Sequence, residues 1–76
     1  MNKCNMDHST VDVKHKYEAQ KEELPEDICG LFDDFLNRNN SQPTLNEMFH
    51  LLKKYDLADE LERLERNRKM RSLLLK

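Results

Sequence analysis

Apolar residues recur along this chain with a helical period and not with the alternation of a strand. Ile28, Leu31, Phe32, Phe35 and Leu36 fall at i, i+3, i+4, i+7 and i+8, a single broad stripe facing a core, with Asp33, Asp34 and Asn37 on the other side. Leu45, Met48, Phe49, Leu52 and Tyr55 repeat the pattern, and Leu51 widens it. After Tyr55 the phase shifts, and Leu57, Ala58, Leu61 and Leu64 carry a helical spacing toward Met70, Leu73, Leu74 and Leu75. A first segment over 11–23 offers only Val13, Tyr17 and Ala19 or Gln20, so its helix is expected to be the least stable and to form by docking on the rest. Residues 1–10 show neither period and are expected to be a disordered tail ahead of one helical domain over 11–76. The predicted class is all-α: a small bundle of three to four helices, with a helical hairpin core plus a C-terminal helix.

Local signals place the boundaries. Ser9 or Thr10 is positioned to cap the first helix, and Leu24-Pro25 closes it, because the residue before proline avoids the α region while proline suits a first turn. Glu26 and Asp27 then put negative charge at the start of the second helix. Gly30 inside that helix costs about 1 kcal/mol relative to alanine and marks either a close helix approach or a tolerated defect. The turn formers over 38–43 predict a short loop that makes the second and third helices antiparallel neighbours. Thr44-Leu45-Asn46-Glu47 reads as a capping box that starts the third helix. A break is predicted at 55–57, with Asp56 as the next N-cap and Asp59 and Glu60 in the first turn, in preference to one continuous helix. The last segment carries the i,i+4 pairs Asp59 with Arg63, Glu62 with Arg66 and Glu65 with Lys69.

Composition narrows the function classes. The chain has 76 residues, so a single core contributes little and a partner is expected to add stability. Its charged and hydrophobic fractions are both 37%, which suits helices with exposed faces. A net charge of −2 supplies no overall attraction to a polyanion. Two cysteines, Cys4 and Cys29, are too sparse for a disulfide framework, and with neither a signal-like apolar run nor a membrane span in view the expected location is cytoplasmic.

Nothing in the pattern points to catalysis or to a cofactor. A single glycine excludes phosphate-binding glycine loops, and Asp33 and Asp34 diverge by about 100° on a helix, too far to act as an acid–base pair. Cys29 and His50 would make a nucleophile and base only if the second and third helices packed with those sides together. Cys4, His8, His15 and Cys29 total four metal-ligand types, but their spacing matches no zinc knuckle, so no metal site is predicted. A helix-turn-helix would lead into the groove with Asp56, Asp59 and Glu60, which phosphate repels.

The run Leu51-Leu52-Lys53-Lys54-Tyr55-Asp56-Leu57 is similar to the basic-basic-x-Asp-Leu signature near the last helix of death-effector domains, which act as homotypic adaptors. The resemblance covers 28–64, and the chain upstream is too short to supply that family's first helices.

Charge is the more informative feature. Acidic residues gather over 18–34, and Arg63, Arg66, Arg68, Lys69, Arg71 and Lys76 gather at the end. The bland account is that the two halves complement each other within the fold or across a dimer. The sharper one is a contact with a partner. The expected function is a non-catalytic protein–protein interaction module, a regulator, adaptor or inhibitor, binding through Leu61, Leu64, Arg66, Arg68, Lys69, Met70, Arg71, Leu73 and Leu74. Homodimerisation near the last helix is expected. The alternative is a nucleic-acid-associated factor using the basic run 63–71, though no aromatic residue interleaves with it for base stacking.

Overall fold

Ser9 starts the first helix by a reciprocal pair of bonds: its hydroxyl accepts from the Asp12 amide at 3.1 Å, and the Asp12 carboxylate accepts from the Ser9 amide at 3.2 Å. The computed structural model describes residues 7–75, and within them lie α1 (Thr10–Gln20), α2 (Glu26–Asn37), α3 (Gln42–Leu52) and α4 (Glu60–Leu74). Short 3₁₀ turns at Lys21–Glu23 and Tyr55–Leu57 follow α1 and α3. The fold is therefore the small all-α bundle expected, with no strand among the described residues.

One core serves all four helices. Val13, Ile28, Phe32, Phe35, Met48, Leu52, Tyr55 and Met70 lose essentially all contact with solvent. Phe32 stacks on Tyr17 with ring centroids 4.2 Å apart and meets Phe35 edge-on at 5.7 Å. Leu36 and Phe49 only flank this cluster. The broadest helix pairings are α1 with α3, α2 with α4 and α3 with α4. Thus α2 and α3, expected to be antiparallel neighbours, instead share the core through common neighbours, because the thin face of α1 and the C-terminal half of α4 both insert beside them.

Two boundaries differ from the sequence expectation. The cap of α3 is Ser41, whose hydroxyl accepts from the Thr44 amide at 3.4 Å, so the helix begins ahead of Thr44 and carries Pro43 in its first turn. Proline fits there because its missing N–H is one the first turn leaves unpaired in any case. The break after α3 is real, but the cap of α4 is Asp59, whose carboxylate accepts from the Glu62 amide at 2.9 Å. Asp56 is instead held by Gln20 in a two-way contact, its amide donating to Oε1 at 3.1 Å and its carboxylate accepting from Nε2 at 3.0 Å. Lys54 makes the turn possible by adopting the left-handed region, φ 57° and ψ 26°.

Residues 7–10, expected to fray, are tied to α3. The His8 ring stacks on Phe49 at 3.6 Å, its amide donates to Asn46 Oδ1 at 2.8 Å, and its carbonyl accepts from Gln42 Nε2 at 2.7 Å. The rest of the expected tail, 1–6 with Cys4, lies outside the described residues. Gly30 sits on the exposed side of α2, and a β-carbon there would meet nothing within 4 Å, so it marks no close helix approach.

Candidate functional site

The orientation of α4 is set by polar residues near its start. Arg66 Nη1 donates to the carbonyls of Leu51 at 3.2 Å and Lys53 at 2.7 Å, groups that the end of α3 leaves without helical partners. Arg63 donates to the carbonyls of Asp56 at 2.8 Å and Ala58 at 3.1 Å, and its guanidinium lies 5.2 Å from the centre of the Tyr55 ring. One turn further on, Asn67 is buried and its Oδ1 accepts from the Tyr55 hydroxyl at 2.6 Å. These three side chains turn the polar side of the first half of α4 toward the body of the protein.

The leucines of that half consequently point outward. Leu61 is 79% exposed and Leu64 59%, and Leu57, in the turn that precedes α4, is 76% exposed. With exposed Arg68, Leu61 and Leu64 occupy spacings of three and four residues and form one line along the outside of the helix, while Leu57 lies in the turn before it, separated by the extended Ala58 and Asp59. The second half of α4 behaves in the opposite way. Met70, Leu73 and Leu74 enter the core, and the Leu74 carbonyl accepts from the Arg38 guanidinium, closing the helix end.

The residues expected to contact a partner therefore divide into three groups. Leu61, Leu64, Arg68 and Lys69 are on the surface. Met70, Leu73 and Leu74 are core, because the bundle needs apolar volume against α2 that α1 does not supply. Arg66 and Arg71 are half-buried and committed within the fold: Arg71 donates to both carboxylate oxygens of Asp27, at 2.6 and 3.1 Å. That contact holds the Asp27 carboxyl below its ordinary range, the hydrogen bond from Arg71 being the main cause. Arg63 likewise reaches Glu23 at 3.2 Å. The basic end and the acidic front half thus meet inside one chain. Leu57 and Glu60 join the outward surface although neither was among the expected contact residues; the spacing of Leu57 to Leu61 and Leu64 was visible, but the side it faced was not.

Other candidate chemistry is dispersed. His8 and His15 line one open groove of about 400 Å³ with Asp12, Lys16 and Phe49. Cys29 lies elsewhere, its thiol donating to the Lys21 carbonyl at 3.6 Å, while His50 packs edge-on to His8 and Phe49. Among the described residues no group of three or more His, Cys, Asp or Glu side chains converges as a metal site, and no helix is long and apolar enough to cross a membrane. Comparison with models of protein families, with curated proteins and with solved structures finds no match to the chain, so the likeness of 51–57 to a death-effector signature remains that of one short run.

Proposed function

We propose that the chain is a non-catalytic protein-binding module, a cytoplasmic regulator, adaptor or inhibitor, that docks through Leu57, Leu61 and Leu64. The carrying observation is the reversed orientation of the first half of α4, which holds Arg63, Arg66 and Asn67 against the body and leaves the leucines in water. Each buried leucine side chain is worth roughly 1.5 to 3 kcal/mol, so covering the stripe supplies binding energy that the isolated fold forgoes. The partner is another protein, in the simplest case a second copy of the chain.

The nucleic-acid alternative draws no support from the same geometry. Arg63, Arg66 and Arg71 are engaged within the fold, which leaves Arg68 and Lys69 on the outside of the basic run, and Arg68 already pairs with Glu65 at 2.6 Å. Binding to phosphate backbones would weaken steeply with salt, whereas a leucine contact changes little.

A photo-crosslinking residue placed at Leu61 tests the docking reading, with a second placed at Glu18 as control. The expected result is a discrete adduct from the first position, none from the control, and loss of that adduct in Leu57→Asp/Leu64→Asp while the melting temperature is kept. Absence of an adduct from position 61, or an adduct that survives the double substitution, overturns the proposal.

A further inference from the structure

We draw no further inference here: the strongest candidate, the surface patch of exposed Leu61 and Leu64 on the outer side of α4, carries nothing beyond the docking reading above, because nothing in the structure shows what covers it.

Discussion

The Tyr55 hydroxyl donates to the Asn67 amide oxygen at 2.6 Å inside the core, and this bond joins the turn after α3 to the middle of α4. It is buried at both ends, so its removal is asymmetric. Tyr55→Phe leaves a desolvated amide oxygen without a donor and is expected to destabilise by about 1 to 3 kcal/mol. Adding Asn67→Leu removes the orphan and is expected to recover most of the loss. Urea denaturation of the two variants measures the difference; equal loss in both would show that the aromatic packing, and not the bond, holds α4 in place.

Phe35 is fully buried and meets Phe32 edge-on. Phe35→Ala is expected to cost about 3 to 5 kcal/mol. A chain this short draws little more than that from its whole core, so the variant should be unfolded at room temperature by circular dichroism. A loss below about 1 kcal/mol would contradict the burial described.

Two backbone positions favour opposite exchanges. Lys54 sits at φ 57°, where an L side chain costs about 1 to 2 kcal/mol, more than the added chain entropy of glycine. Lys54→Gly is therefore expected to raise stability by about 0.5 to 1 kcal/mol. Gly30 lies in the exposed interior of α2 with open space at its β-carbon, so Gly30→Ala is expected to add about 1 kcal/mol. Thermal melts of both variants should shift upward, and a downward shift in either would contradict its local geometry.

Truncation after Arg71 removes Leu73 and Leu74 from the core together with the carbonyl that accepts from Arg38. Each lost leucine is worth about 2 to 5 kcal/mol, so the shortened chain is expected to lose its helical signal and its cooperative melt. Retention of both would return the C-terminal leucines to the role of a docking tail.

The Tyr17 phenol is pushed up to about 12, first by burial and then by its hydrogen bond with Cys29. The ordinary value is about 10, so the folded state favours the protonated phenol. Its contribution is complete below about pH 10 and is lost as pH rises through the folded value. Absorbance titration compared between the wild type and Tyr17→Phe should show a late-ionising phenol that the substitution removes, together with a flatter alkaline loss of stability.

The periodic stripes of α2 and α3, the proline boundary at Leu24-Pro25 and the break after α3 were all legible in the sequence, because each depends on neighbours within a turn or two. The same range explains the errors at the caps. Ser41 and Thr44, or Asp56 and Asp59, are chemically equivalent candidates three residues apart, and the choice between Asp56 and Asp59 went with Gln20, a residue far away in sequence. For α4 the local information ran out. Its leucines lie on more than one side, so spacing alone admitted Leu61 and Leu64 to the core as readily as Met70, Leu73 and Leu74. What decided was tertiary: the open carbonyls at the end of α3 needed Arg66, the Tyr55 hydroxyl needed Asn67, and satisfying buried polar groups outweighed hiding two leucines. Sequence by itself determined that this chain is a bundle of amphipathic helices; only the packed structure determined which leucines are its core and which are left for another surface.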